Sequence, residues 1–417
     1  MIFNKLSTQH KKLLSNFISL NALQVANLVL PLLTLPYLIR ILQPENFGLV
    51  MFAQAFIVYF VILVDFGFNF SATKAISVHR DNPEKVTEIF SIVMQWKILL
   101  VGLSLLVMVF VVNTFDKFNT NIELYYLTFL YVVGQAIFPV WYFQGKEDMK
   151  YVTYMNLLAK ILFTVCIFIF VKSNEDYLYV PLLNGLGYIV AGIFSLILIR
   201  LKYNETISIY SYKSMIYYLK DSADFFLSRV SASIYTSSNA FVLGLFTNNT
   251  IVGYYSIAEK LYMALRSLFG PVSTTLYPYI SNTKNIVLYK KIFSFAILLN
   301  FIVVFVLWFF APFLIKLLAG HNIPETVYAF RVLLITALIT VPSSLLGYSF
   351  LAALGYKNYA NYSVVIASLV HMFGLVVLYL SHMISLNSVI YMLVITESIV
   401  FIIRLYGIKK YKLWKVL

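Results

Sequence analysis

Apolar residues come in long runs along the whole chain, and short polar stretches separate them. Runs of 18 or more recur, each long enough to cross a hydrocarbon core of about 30 Å. The pattern predicts twelve membrane-spanning helices, near 16–42, 48–70, 91–112, 123–143, 151–171, 178–200, 221–246, 251–278, 291–318, 326–354, 359–380 and 386–406. The loops are short. The longest, around 201–220, has room for a surface helix (IYSYKSMIYYLK), and none is large enough to house ordinary catalysis.

Polar residues inside the runs carry the chemistry. A charge at the bilayer centre costs roughly 2.5–3.5 kcal/mol on insertion scales, so such a group is expected to face a cavity or a partner. The charges in question are Asp65, Lys97, Lys160, Asp224, Arg229, Glu259, Lys260, Arg266 and Glu397; Lys316 and Arg331 lie near enough to span ends to snorkel. The first span has Asn21, Gln24, Asn27, Pro31 and Thr34 on one helical face. The seventh has Asp224, Ser228, Ser231, Tyr235 and Ser238 on one face, with Arg229 and Asn239 adjoining. Two stripes of this kind either face a hydrated cleft or join helices by hydrogen bonds.

The cations allow two readings. Arg229, Arg266 and Lys160 form a cationic cavity for an anionic group, or the arginines are spent on local pairs, Arg229 with Asp224 and Arg266 with Glu259. Glu259 and Arg266 share a helix face, although seven residues separate them by about 10 Å of rise. Lys160 lies mid-span, one turn after Asn156; Lys97 begins its span, where it can snorkel. Glu397 either pairs with a base or carries a proton. Asp65 ends the run VILVDFGFNFSATK, where Gly67 and Asn69 let the helix stop or bend. A carboxylate near a helix C-terminus is disfavoured by the dipole. A partner is therefore expected, Lys74 or Lys97, with an ion-coupling role as the alternative.

Composition adds orientation and removes function classes. With 61 % apolar and 12 % charged residues the chain departs from the soluble average of about 25 % charged. Asp65-Phe66-Gly67 resembles a kinase metal motif, but no Gly-rich loop, VAIK-like lysine or HRD loop accompanies it. No phosphate loop, metal-spaced histidines or cofactor signature is present, nothing reads as a removable signal peptide, and the single Cys166 permits no intrachain disulfide. The net charge of +14 is an orientation signal rather than a nucleic-acid footprint. Alternate loops and both tails hold twenty-one Lys and Arg, Arg404 among them, and the other loops hold three, Arg40, Lys117 and Lys172. By the positive-inside rule both termini are cytoplasmic, facing anionic lipid.

The chain also repeats. FGLVMFAQ (47–54) has the pattern of VGYYSIAE (252–259), with Gly48 and Gly253 205 positions apart. QGKEDMKY (144–151) resembles LGYKNY (354–359), which aligns Gly145 with Gly355. Two anchors of nearly equal offset predict an all-α polytopic membrane protein of two parallel six-helix lobes, 1–203 and 204–417, as in secondary transporters.

Three stretches carry a family resemblance: LQVANLVLPLLTLPYLIRILQPENFGLVMFAQAFIVYFVILVDFGFNFSATKAIS (23–77), FPVWYFQGKEDMKYVTYMNLLAK (138–160) and FFLSRVSASIYTSSNAFVLGLFTNNTIVGYYSIAEKL (225–261). They resemble the O-antigen flippase family, in the polysaccharide branch of the superfamily that also contains multidrug-and-toxin exporters (MATE). One departure is Gln43, where relatives usually have Gly before Pro-Glu. The resemblance implies a MATE-like fold with a central cavity and no enzymatic step or cofactor. Its implied substrate is an undecaprenyl-pyrophosphate-linked oligosaccharide, moved across the bacterial inner membrane from the cytoplasmic to the periplasmic leaflet. Substrate contacts would fall to Arg229, Arg266, Lys160, Asn21, Gln24, Asn27, Tyr235 and Asn239, and gating or ion coupling to Asp65, Asp224, Glu259 and Glu397. A pyrophosphate diester carries about two negative charges, and a membrane potential favours their outward movement by roughly 2.3 kcal/mol per charge per 100 mV. A coupled proton or sodium ion is thus permitted but not required. Polysaccharide polymerase machinery is the implied downstream partner. Two other classes fit less well. A drug/cation antiporter of the same architecture favours an acidic, aromatic pocket, and a membrane polymerase favours large charged outer loops.

Overall fold

The computed structural model describes residues 8–414, and within them the side chains of all but 8–28, 32, 228, 231, 232 and 234–236. Every described element is helical: α1 (Thr8–Asp65), α2 (Phe68–Val78), α3 (Pro83–Thr114), α4 (Asp116–Asn119), α5 (Ile122–Ile137), α6 (Val140–Gly145), α7 (Met149–Phe170), α8 (Tyr179–Tyr203), α9 (Tyr212–Phe246), α10 (Asn249–Ser267), α11 (Gly270–Thr283), α12 (Ile286–Phe309), α13 (Ala311–Ala319), α14 (Pro324–Leu346), α15 (Lys357–Leu380) and α16 (Leu386–Lys410), with a 3-10 turn at Asn174–Leu178 and a π turn at Gly347–Ala352. Among the described residues nine helical stretches are long and apolar enough to cross a membrane. Large apolar side chains such as Leu106, Phe305 and Phe373 are 63–70 % exposed. Such a surface suits lipid, and a helix satisfies its own backbone polar groups there. The chain is a multi-pass membrane protein.

The expected spans lie on helix, but several are broken, and three of the breaks share a cause. Pro139 caps the start of α6, and Pro271 and Pro312 stand in the first turns of α11 and α13, each directly at or after the interruptions at Phe138, Phe269 and Phe310. Proline offers no N–H to the preceding turn, and it restricts the residue before it. The surface helix expected within 201–220 is not separate. Residues from Tyr212 onward run straight into α9, since nothing between them and Asp221 stops a helix. Inside α1 the helix breaks at Gln43, whose φ of 56° and ψ of 167° belong to a region tolerated mainly by glycine. The departure from the family's Gly noted above thus falls on a position where glycine is the unstrained residue.

The chain divides into two compact units. The first comprises the described residues up to Tyr37 with Ala53–Val230. Within it α5 and α8 cross closely through glycines: a Cβ at Gly185 would stand 2.5 Å from the Leu130 Cβ, and one at Gly134 2.7 Å from that of Tyr188. Close approach through small residues is the usual means of packing membrane helices. α1 ends as expected after Asp65, with Phe66 and Gly67 both left-handed (φ 41° and 80°). Phe66 then stacks on Phe226 at 4.5 Å, and the Ser71 and Ser222 hydroxyls lie 2.6 Å apart.

The second unit comprises Leu38–Phe52 with Ser231–Leu417. Its closest crossing joins the two glycines that the repeat singled out. A Cβ at Gly48 would fall 1.8 Å from the Asn249 carbonyl oxygen, and one at Gly253 2.1 Å from that of Pro44. The four positions form two pairs 205 apart, so each helix offers its partner the same contact that it receives. That reciprocity is the geometry of a two-fold axis. The second anchor needs realignment. Asp148 N–H bonds the Phe143 carbonyl and Tyr356 N–H that of Leu351, both at 2.8 Å, around left-handed Glu147 and Gly355. The equivalent of Gly355 is therefore Glu147, not Gly145. Arg40, one of the three basic residues of the sparse loops, donates Nε–H to the Leu318 carbonyl (3.1 Å) and a second bond to that of Leu317, capping α13.

Gly253→Ala is expected to destabilise the purified protein by about 1–3 kcal/mol, because the carbonyl in its way is backbone. Gly102→Ala, where a Cβ meets nothing within 4 Å, serves as the control in thermal unfolding. Equal midpoints for the two variants would refute the crossing.

Candidate functional site

Asp65 sits at the last residue of α1, and the left-handed turn after it directs the chain away, leaving the carboxylate inside the first unit. It is 4 % exposed. Arg229 of α9 donates NH1–H to Oδ2 at 2.9 Å, and the Lys97 ammonium of α3 lies 3.9 Å from Oδ1. The two basic groups differ. Lys97 is buried at 3 % exposure, whereas the Arg229 side chain is about one-third exposed.

At 3.9 Å the Lys97–Asp65 contact is an ion pair too long for a hydrogen bond. Asp65 Oδ1 accepts no hydrogen bond. The three groups carry a formal charge of +1, and all of them line a small cleft of about 30 Å³, together with Asn69, Gln135 and the backbone-bending Phe138. Gln135 is a polar residue inside an apolar run, the kind of signal that marks a cleft, and Asn69, expected only to stop or bend the helix, joins it there. The arrangement corrects two expectations: Arg229 does not pair with Asp224, which is exposed, and Lys97 does not snorkel out. Of the two partners expected for Asp65, Lys97 is in place and Lys74 is exposed.

Lys160 lines a second cleft of the first unit, about 150 Å³, with Thr34, Tyr131, Asn184 and Tyr188. Tyr131 and Tyr188 meet edge to face at 5.0 Å. Asn156, one turn before Lys160, is turned to its own helix and donates to the Val152 carbonyl at 2.9 Å.

The second unit holds the other charges. Arg266 approaches Glu397 Oε1 at 3.9 Å and lies over the Tyr262 ring at 5.5 Å. Glu259 instead accepts a 2.8 Å hydrogen bond from the Tyr255 hydroxyl one turn earlier. The expected Arg266–Glu259 pair is thus replaced by Arg266–Glu397, while Glu397 does find a base. Lys260 is exposed. Asn239 is buried, its Oδ1 3.1 Å from His371 Nε2, and His371 Nδ1 lies 2.7 Å from the Thr396 hydroxyl. Arg404, counted above with the tail, is 6 % exposed. It donates to the Ser363 hydroxyl (3.0 Å) and the Ser343 carbonyl (2.6 Å), across Gly347 at the start of the π turn. The charge asymmetry of the loops survives its removal. The side chains of Asn21, Gln24, Asn27 and Tyr235 lie outside the described residues. Among the described residues no cluster of three His, Cys, Asp or Glu could hold a metal ion.

Comparison with known proteins gives this arrangement a context. A family described as polysaccharide biosynthesis protein matches residues 13–284. A protein of Escherichia coli (strain K12) named as a candidate O-antigen transporter is 30 % identical over 362 residues, 85 % of this chain and 86 % of that protein. One of Shigella dysenteriae bearing the same name is 30 % identical over 282 residues, 68 % and 71 % of the two chains. Among solved structures, a lipid II flippase, MurJ, in an inward closed conformation aligns with TM-score 0.70 at 16 % identity, covering 95 % of this chain and 87 % of that one. An inward-facing multidrug resistance MATE family transporter aligns with TM-score 0.69 at 15 % identity, covering 93 % and 96 %. The fold is therefore MATE-like, as expected.

Removing one member of a buried ion pair strands the other and costs about 3–5 kcal/mol, whereas an apolar replacement of both is tolerated. Asp65→Ala is accordingly expected to lower the unfolding midpoint more than the double variant Asp65→Ala/Lys97→Met does. If the second substitution recovers nothing, Lys97 is not held by Asp65.

Proposed function

The chain belongs to the polysaccharide biosynthesis protein family, and from that membership we propose that it is a flippase for lipid-linked O-antigen or related surface-polysaccharide repeat units. The observation that carries the reading is the surplus cation around Asp65. One carboxylate faces two basic groups, and among the described residues the Lys97 ammonium donates none of its hydrogen bonds. A buried ammonium with unspent donors beside a polar cleft suits a passing anion, such as the pyrophosphate of an undecaprenyl-linked oligosaccharide. A drug or cation antiporter would need the opposite sign there.

On this reading the substrate enters at the cytoplasmic leaflet of the bacterial inner membrane and leaves at the periplasmic one by alternating access. Both termini are cytoplasmic, which the asymmetry of the loop lysines supports. The halves 1–203 and 204–417 are the moving lobes; the reciprocal contact of Gly48 and Gly253 supports their descent from one repeat. Arg229 contacts the anion and Asp65 holds it ready between passages. Lys160, with the Tyr131–Tyr188 pair beside it, contacts sugar. Arg266 and Asn239 complete the polar path with Asn21, Gln24, Asn27 and Tyr235, and Asp224, Glu259 and Glu397 gate it. The Arg266–Glu397 separation of 3.9 Å suits a pair that parts easily. Polymerase machinery would consume the flipped unit. The membrane potential suffices to drive the anion outward, with a coupled ion as an addition.

The test is deletion of the gene followed by leaflet-resolved analysis of lipid-linked intermediates. Complete repeat units are expected to accumulate on the cytoplasmic side and to clear when the wild-type chain is restored. Arg229→Ala should fail to clear them at normal protein level, and Arg229→Lys should restore them in part. Accumulation of flipped, unpolymerised units would instead identify a polymerase. Normal surface polysaccharide in both Arg229→Ala and Arg266→Ala cells would end the cationic reading.

A further inference from the structure

In the second unit α12 and α16 both pack on α14. A groove of about 900 Å³ lies between them, with Pro342 and Leu346 of α14 at its base and Phe293 and Phe401 on its flanks. Small-molecule pockets typically enclose about 300–1,000 Å³ and carry several placed polar groups. Here the lining is apolar along its length, and polarity is concentrated at one end, where Lys409 and Lys412 line the groove.

The chain builds that end deliberately. Lys412 is left-handed (φ 52°), and the N–H of Leu413 bonds the Ile408 carbonyl at 3.0 Å, closing α16 with a reversal. The reversal lays Trp414 against Phe293 at 5.4 Å and Phe350 at 5.5 Å. Lys290 of α12 then sits over the Trp414 ring at 5.7 Å, bringing a third ammonium to the same place. Among the described residues none of these three lysines forms an ion pair. Lys410, between the two in sequence, turns instead to the Tyr411 ring at 5.6 Å.

A hydrocarbon trough with three unpaired cations at one end fits hydrocarbon chains joined to an anionic head. Free phosphate has no use for the trough, and a zwitterionic lipid leaves the lysines uncompensated. We propose that this groove is a fixed site for an acidic phospholipid, with its acyl chains along α14 and its phosphate against Lys290, Lys409 and Lys412. Basic pockets between membrane helices bind acidic lipid heads in this way. The surrounding bilayer supplies such a lipid at high local concentration, so the site fills by mass action. The inference stands apart from the transported substrate.

The full chain, purified in a neutral detergent and supplied with palmitoyl-oleoyl phosphatidylglycerol or its phosphatidylcholine counterpart, tests this by native mass spectrometry. The wild type is expected to retain one phosphatidylglycerol in preference to phosphatidylcholine. Lys409→Ala/Lys412→Ala should weaken that retention about 30-fold, the equivalent of ~1 kcal/mol per lysine, while Lys410→Ala leaves it unchanged. Equal loss in Lys410→Ala, or no loss in the double variant, overturns the site. Displacement of phosphatidylglycerol by an equimolar polyprenyl phosphate would assign the groove to that lipid and equally overturn the proposal.

Discussion

A charge placed in hydrocarbon must be met by another group, and the interior of this chain is arranged around that requirement. The first unit meets it with Asp65 between Arg229 and Lys97. The second spreads the load: Arg266 against Glu397, Glu259 on the Tyr255 hydroxyl, and Arg404 on serine oxygens and a carbonyl beside a π turn. These solutions differ in stiffness. Arg404 is clamped by short bonds and has a structural character, whereas Lys97 is held at 3.9 Å by attraction alone. An ammonium held loosely can turn from an internal carboxylate to another anion without first breaking a directed bond.

The helical spans and the membrane class were legible in the sequence because twenty apolar residues in a row admit few other structures. Partners were not legible. The pairs Asp224–Arg229 and Glu259–Arg266 were drawn along single helices, where spacing can be counted. The carboxylates that the two arginines actually meet come from elsewhere in the fold: Arg229 reaches a residue 164 positions away. Helix rotation, set by packing against neighbours, decides which side chain points inward, and that information is spread over the whole bundle. Asp65 was recognisable as needing a base, since it is a carboxylate at a helix C-terminus, yet the choice among candidates needed three helices at once. Gln43 shows the reverse case: one unusual residue at a family glycine marked a strained joint that hydropathy read only as a gap between spans.

Family membership, fold and site chemistry constrain different things. Kinship at 30 % identity over most of the chain places it in polysaccharide biosynthesis. The shared architecture extends to transporters of drugs and of lipid-linked cargo, so the fold alone is indifferent to the sign of what is carried. The sign enters through the side chains, and around Asp65 the balance is positive.

The glycine crossing has a consequence for biogenesis. Gly48 finds the backbone at Asn249, and Gly253 finds that at Pro44, two contacts that each span about 200 residues of chain. At a synthesis rate of about 5–20 residues per second, the stretch around Gly48 enters the bilayer roughly 10–40 s before its counterpart has been made. For that interval its bare glycine face, shaped for another backbone, is open to any other small-residue helix in the same membrane. The final packing of this segment is therefore post-insertional, and the cell must hold half of the protein in waiting until the other half arrives.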